Sequence, residues 1–459
     1  MPTDFEPQME LLRASLDYAE EYLRTLDERP VFPDAGALEA LDQLGGAFPE
    51  APTEARDTLA LLHRVGGPAT VAQVGGRYFG FVDGGALPVG VAARVLADVW
   101  DQNTAHYVMS PVAARLEAVC EEWLADLLGL PEGSAAGFVT GTTLANLSGL
   151  AAGRNELLRR RGWDVAAQGL YGAPPIPVVV GADAHAAVRK SLALLGMGDA
   201  HTRVVPVDEQ GRMRIDRFPG LDGPALVVAQ AGNVNSGAFD PVDRICDRTH
   251  PTGGWVHVDG AFGLWAAAVP SLRSLVPGIA RADSWAVDAH KTLNVPYDCG
   301  VVLCRDRDAL EAAFRASASY FQWSAERDPM RYTPSMSKRA RAVELWAVLR
   351  TLGREGVARL VEQLCGHAAD FARRLDAEGF RILNAVVFNQ VLVGCDDDEE
   401  TTRTLAHLQT LGDCWCGGST WKGRPVIRIS VCSWATGEAD VERSVAAFRR
   451  ARERARTGA

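Results

Sequence analysis

Along residues 7–27 the apolar positions Met9, Leu12, Leu16, Ala19, Leu23 and Leu26 fall on one stripe and predict an amphipathic helix. Pro30, Pro33 and Gly36 break it, and a second helical pattern covers about 53–65. Residues 66–90, GGPATVAQVGGRYFGFVDGGALPVG, are Gly-rich with little periodicity, and long irregular segments in compact proteins are often functional. Helical spacing returns over 89–129, punctuated at Ser110–Pro111. From about 137 short β-branched runs alternate with helical patterns: 137–140, 177–182, 203–207, 225–232, 254–260, 284–290 and 300–305. Continuous rather than alternating apolar runs suit strands buried on both faces of a mostly parallel sheet. Their alternation with helices predicts an α/β fold.

After about 338 the pattern is a long helix, then RILNAVVFNQVLVGC as two strands of a hairpin, a helix near 401–412, one or two strands in STWKGRPVIRISVCS, and a closing helix. This predicts a smaller C-terminal α+β domain. The expected division is a helical N-terminal segment over 1–72, a large α/β domain over 73–345 and the small domain over 346–459.

Composition narrows the function. With 459 residues, 47% hydrophobic and 23% charged, the chain reads as an ordinary soluble globular protein able to bury a large core. A net charge of −11 argues against a nucleic-acid partner, which needs a basic face. The start of the chain lacks the features of a signal peptide, and no apolar run approaches a membrane span, so a cytoplasmic protein is expected. The nine cysteines read as reduced thiols, with no convincing metal spacing at the one close pair, Cys414 and Cys416. Only four of the 47 basic residues are lysine: Lys190, Lys291, Lys338 and Lys422.

Ligands of open parallel sheets bind beyond the carboxyl ends of the strands, so the polar residues just after each run are the candidates. They are Thr142 and Thr143 in a glycine-containing turn opening a helix, His185, Asn233, Asp259, His290 and Lys291. A lysine at a desolvated strand end has a lowered pKa and can form a Schiff base. Lys190, Lys338 and Lys422 read as solvated charges, which leaves Lys291; alone, it also reads as a surface lysine at a strand end. Asp259, ending a β-branched run, needs a cationic partner such as a protonated pyridine nitrogen; alone, it also reads as a helix cap. Thr142 and Thr143 at a helix start suit a phosphate, or a plain N-cap. His185 offers a flat ring for stacking, or caps its helix. Aldehyde, phosphate and pyridinium nitrogen together are the handles of pyridoxal 5′-phosphate.

The segments TGTTLANLSGLAAGR, DAHAAVRKSLALLG, NVNSGAFDP, HVDGAFG and VDAHKTLNVPYDCG, in this order, resemble the group II pyridoxal-phosphate-dependent amino acid decarboxylases, which include aromatic-amino-acid, histidine and glutamate decarboxylases. The resemblance implies a type I aminotransferase-like fold and a homodimer with active sites at the interface. It implies that Lys291 carries the cofactor, that His290 contacts it, that Asp259 holds the pyridine nitrogen and that His185 stacks on the ring. Thr142 and Thr143 match phosphate-binding positions, and Tyr320 matches a loop tyrosine that returns a proton to carbon after carbon dioxide leaves. Arg428 matches an arginine near the substrate carboxylate. The chain departs from aromatic decarboxylases at Asp83, Asn103, Ala105 and His106, which predicts a more polar substrate pocket, and at Asn233, where a hydroxyl residue is common. The reaction implied is decarboxylation of an L-amino acid to its amine. Aminotransfer and decarboxylation coupled to aldehyde formation use the same groups, and a binding protein on the same fold is the rival from another class.

Overall fold

The computed structural model describes residues 5–316, 318–319, 321 and 323–457. A two-residue strand, β1 (Tyr78–Phe79), precedes the central sheet of β2 (Ala135–Val139), β3 (Val178–Gly181), β4 (Thr202–Val205), β5 (Leu226–Gln230), β6 (Trp255–Asp259), β7 (Ser284–Asp288) and β8 (Gly300–Cys304). The order across this sheet is β2-β8-β7-β6-β5-β3-β4. Strands β3 to β7 run parallel, and β8 is antiparallel to both β2 and β7, so β2 points the same way as the parallel set. The predicted mostly parallel α/β sheet is therefore present, and each apolar run of the sequence supplies one strand of it.

All strands of this sheet except the edge strand β4 are buried along their whole length. One face packs on the helices Thr142–Arg159 and Ala186–Leu194 through Leu150, Leu157, Val188 and Leu192. The other packs on Val242–Thr249 and on the start of the long helix Ala342–Ala377 through Ile245, Leu345 and Val348. Each such side chain contributes roughly 1.5–3 kcal/mol of transfer free energy.

The second sheet contains β9 (Arg381–Ile382), β10 (Gln390–Gly394), β11 (Trp415–Trp421) and β12 (Arg424–Ser430), in the order β1-β11-β12-β10-β9. It is antiparallel except that β1 pairs parallel with β11, Tyr78 opposite Trp415 and Phe79 opposite Cys416. The stretch just before Asp83 is thereby anchored to the C-terminal sheet. The long helix breaks at Gly353, where φ is 59°, a left-handed value that glycine adopts without a Cβ penalty. The part before the break packs on the central sheet; further along Leu364, Phe371 and Leu375 pack on the small one.

Lys338 departs from the sequence expectation. It is not a solvated charge: its side chain is 4% exposed and its ammonium lies 3.0 Å from Glu117. Burial lowers the Lys338 pKa, with Glu117 opposing. Glu117 also holds Arg327, and Glu121, one turn along the helix Pro111–Leu127, holds Arg327 and Arg307. The sequence hides this cluster because its members are about two hundred residues apart.

The N-terminal helix Glu6–Arg24 keeps its apolar stripe but buries none of it within the chain; Leu16 is 57% and Leu23 60% exposed. The helix Pro88–Trp100 likewise exposes Val91, Leu96, Val99 and Trp100. No helix among the described residues is long and apolar enough to cross a membrane.

Candidate active site

Because β2, β3, β5, β6 and β7 share a direction, the residues after them collect along one edge of the sheet. Lys291 follows β7, and its Nζ lies 3.0 Å from Oδ2 of Asp288, the last residue of that strand. Burial works against the ammonium, but Asp288 through charge and hydrogen bond, with Asp259 further off, holds the Lys291 pKa above its ordinary value. This corrects the expectation of a lowered pKa: desolvation is present, but a carboxylate three residues upstream outweighs it.

Asp259 ends β6 and is 4% exposed. Its carboxylate accepts hydrogen bonds from Asn146 Nδ2 at 3.1 Å and from the Ala261 N–H at 3.2 Å. Burial raises its pKa, opposed by the charges of His185 and Lys291 and by these two donors. A cation placed against it would favour the ionised form.

His185 caps the helix Ala186–Leu194, its Nδ1 accepting the Ala187 N–H at 3.2 Å. That assigns the hydrogen of the neutral ring to Nε2. The capping reading is what the structure shows, and the cap fixes the orientation of the ring. Partial burial lowers the His185 pKa; Asp259 opposes, and Lys291 and Arg428 add to the lowering. These mutual influences bring His185, Asp259, Lys291 and Arg428 into one electrostatic neighbourhood.

Thr142 opens the helix Thr142–Arg159 beside Thr143, and no side chain caps this end. The Thr142 hydroxyl oxygen is buried with no hydrogen-bond partner among the described residues, as are Asp288 Oδ1, Asn233 Nδ2 and Arg428 Nε. Buried polar atoms are ordinarily satisfied, so these four suit a polar ligand at this edge. His290 spans the turn and the lysine: its Nδ1 accepts the Cys299 N–H at 3.1 Å, its Nε2 lies 3.5 Å from Asp288, and a Cβ on Gly141 would meet its ring at 3.2 Å. Burial lowers the His290 pKa.

Asn233 folds back on its own turn, its Oδ1 accepting the N–H groups of Asn235 and Ser236. Arg428 arrives on β12 and donates to the Val234 carbonyl at 3.2 Å; burial lowers its pKa. Asp83 accepts a 2.7 Å hydrogen bond from the Tyr297 hydroxyl, and the Tyr297 ring lies over His290 with centroids 4.1 Å apart. Gly84 must be glycine, since a Cβ there would come within 2.1 Å of the Lys291 carbonyl oxygen. Asn103 and His106 are tied elsewhere: Asn103 donates to Ser337, and His106 packs on Phe321 and Trp323 with Nδ1 3.5 Å from Asp328. Tyr320 lies outside the described residues.

Sequence reading gave no role to Asp288, Asn146 or Asn294. Asp288 was legible as a carboxylate at a strand end three residues before the lysine. Asn294, at φ 57°, accepts the N–H groups of Gly85 and Trp434 and donates to the Cys432 carbonyl, fastening the lysine loop to both flanking segments. These three partners lie 138 to 209 residues away, so the fastening is not visible in the local sequence.

Among the described residues no group of three or more His, Cys, Asp or Glu is placed to hold a metal ion. The set instead fits a cofactor with a carbonyl for Lys291, a phosphate for the Thr142 helix start and a cationic ring nitrogen for Asp259.

Comparison with known proteins gives a consistent picture. Residues 77–393 match the family model described as the pyridoxal-dependent decarboxylase conserved domain. The chain is 25% identical to tryptophan decarboxylase 1 of Oryza sativa over 94% of its length and 91% of that protein. It is 30% identical to mouse cysteine sulfinic acid decarboxylase over 62% of its length and 60% of that protein. The crystal structure of Oryza sativa TDC with PLP and tryptamine superposes with a TM-score of 0.90, covering 99% of both chains at 22% identity.

Proposed function

The chain belongs to the pyridoxal-dependent decarboxylase family and is a pyridoxal-phosphate-dependent amino acid decarboxylase; from that premise we propose that it releases carbon dioxide from an L-amino acid whose side chain is more polar than an indole or catechol. The observation that carries the reading is Lys291 beside Asp288 at one strand end, within electrostatic reach of Asp259 and His185. The more polar pocket rests on Asp83 and its Tyr297 partner against the lysine loop.

When bound, pyridoxal phosphate supplies an aldehyde carbon that takes an amine covalently and a cationic ring that draws off the electron pair left by a departing carboxylate. The residues then have distinct tasks. Lys291 holds the cofactor through Nζ, and Asp288 is the nearest acceptor for the proton its ammonium must lose before it becomes a nucleophile. Asp259 keeps the ring nitrogen protonated. Thr142, Thr143 and the start of their helix would bind the phosphate, with His290 against the turn before them, Asn233 would be a further cofactor contact, and His185 would stack on the ring. Arg428 would orient the substrate carboxylate, and Asp83 would meet its side chain. Tyr320 or His185 returns a proton to Cα.

We also propose that a second copy of the chain covers the exposed apolar faces of the helices Glu6–Arg24 and Pro88–Trp100, so that Asn103 and His106 serve a site at the interface. Sedimentation at micromolar concentration is expected to give a dimer; a monomer there overturns this. The substrate proposal is tested with a full set of L-amino acids and bound cofactor, following amine formation. Turnover is expected for a polar substrate, at least tenfold above tryptophan. No amine from any of them defeats decarboxylation, and preference for tryptophan defeats the polar pocket. Tyr320→Phe is expected to raise aldehyde at the expense of amine, and an unchanged product ratio removes Tyr320 from protonation.

A further inference from the structure

Behind Asp259 lies a run of buried polar groups for which the reaction above has no use. Trp255 Nε1 donates to Ser284 Oγ at 2.9 Å. Ser284 Oγ and His257 Nδ1 are 2.8 Å apart, His257 Nε2 and Asn146 Oδ1 2.9 Å, and Asn146 Nδ2 donates to Asp259 Oδ2 at 3.1 Å. Ser284, His257 and Asn146 are each 0% exposed, and Trp255 is 2%. Each link has one direction only. The Asp259 end fixes it: a carboxylate only accepts, so Asn146 gives it the amide N–H₂ and turns its oxygen to His257 Nε2. The histidine is then the Nε2–H tautomer, its Nδ1 is left to accept the Ser284 hydroxyl hydrogen, and the serine oxygen accepts the indole N–H. Burial pushes the His257 pKa down to about 3, so the ring stays neutral and the direction persists across the working pH range.

The run also crosses layers. Trp255 and His257 lie on β6 and Ser284 on β7, while Asn146 sits on the helix that begins at Thr142. That helix comes close because Gly149 and Gly153 face the two rings: a Cβ on Gly149 would stand 2.6 Å from His257 Cε1, and one on Gly153 2.8 Å from Trp255 Cδ1. The strand end that carries Asp259 and the helix start that carries Thr142 are thus pinned by one hydrogen-bonded line.

We infer that Trp255, Ser284, His257 and Asn146 form a one-way hydrogen-bond relay that positions Asp259 as an ionised acceptor and sets its distance from the Thr142 helix start. The inference rests on the cofactor reading above. These are positioning residues, acting on the cofactor only through Asp259. A hydrogen bond to a buried carboxylate contributes more than a neutral one, so breaking the line anywhere weakens the grip on a cationic ring.

The test is titration of the cofactor-free protein with pyridoxal phosphate alone, followed by absorbance, beside thermal unfolding of the same samples. His257→Leu is expected to weaken cofactor affinity roughly tenfold and Asn146→Leu at least as much. His257→Gln, which keeps one acceptor and one donor, is expected to stay within about twofold of wild type. Ser284→Ala, a smaller change, is expected to fall between them and serves if His257→Leu does not fold. Wild-type affinity in His257→Leu or Ser284→Ala overturns the relay. So does an equal loss in His257→Gln and His257→Leu, which would leave only a packing role. A wild-type chain that takes up no cofactor overturns the reading beneath the relay and is distinguishable from either result.

Discussion

Lys291→Ala is expected to abolish the covalent cofactor linkage and to lower turnover by roughly a thousandfold or more, the scale on which loss of a covalently acting residue is felt. Arginine could not substitute, because its guanidinium stays protonated and is a poor nucleophile. Borohydride reduction of the wild-type holoenzyme followed by peptide mass mapping should place the cofactor on the peptide that contains Lys291, and the variant should carry none. The other lysines are controls of two kinds. Lys190 is exposed and Lys422 donates to the Asp208 carbonyl at the surface, so their replacement should leave the linkage intact. Lys338→Ala should also leave the linkage intact while lowering stability, because its ammonium is buried on Glu117. Label on any lysine other than 291 would defeat the assignment.

Glu117→Gln is expected to cost about 3–5 kcal/mol of stability, read as a fall in Tm or in the denaturant midpoint. Glu117 is 1% exposed and carries two cations, Lys338 at 3.0 Å and Arg327 at 3.2 Å. Arg327 keeps Glu121 at 2.7 Å, but Lys338 retains, among the described residues, only the Phe138 carbonyl at 3.2 Å and becomes a buried charge with no counterion there. The sign of the pH dependence follows. The folded pKa of Lys338 is already depressed by burial and falls further without Glu117, so the unfolded chain binds more protons than the folded one and stability rises with pH. The deficit of Glu117→Gln should therefore shrink as the solution is made alkaline. Adding Lys338→Met should recover much of it, since an apolar side chain needs no counterion. Arg327 and Lys338 also donate to carbonyls of β2, the Ala136 and Phe138 oxygens, so the cluster fastens these two residues to the central sheet. A Tm within a degree of wild type would show that the cluster carries no stability.

The parallel strands and the polar residues at their ends were legible because both are local. A β-branched run followed by a polar residue is a contiguous pattern, and the parallel order gathers the ends of such runs on one edge. His185, Asp259 and Lys291 were found that way. What the sequence did not yield depends on partners distant in the chain. Lys338 follows Ser337 and precedes Arg339, a context that reads as surface, yet its partner is Glu117. The Lys291 pKa was misjudged because desolvation is visible in an apolar run whereas the 3.0 Å approach of Asp288 is not. His257 sits at an inward position of an apolar strand like any core residue; only Ser284 and Asn146, on a neighbouring strand and a covering helix, give it a direction. The N-terminal stripe shows the converse, since periodicity marked an apolar face that the chain itself does not bury.

The central claim is that the bond broken is the one to the α-carboxylate. The most direct measurement uses an accepted L-amino acid labelled at its carboxyl carbon, turned over by the holoenzyme in deuterated water. All of the label should leave as carbon dioxide, one per molecule of amine, and the amine should carry a single deuterium at the former α-carbon. Label retained in a keto acid, with no carbon dioxide released, would contradict it.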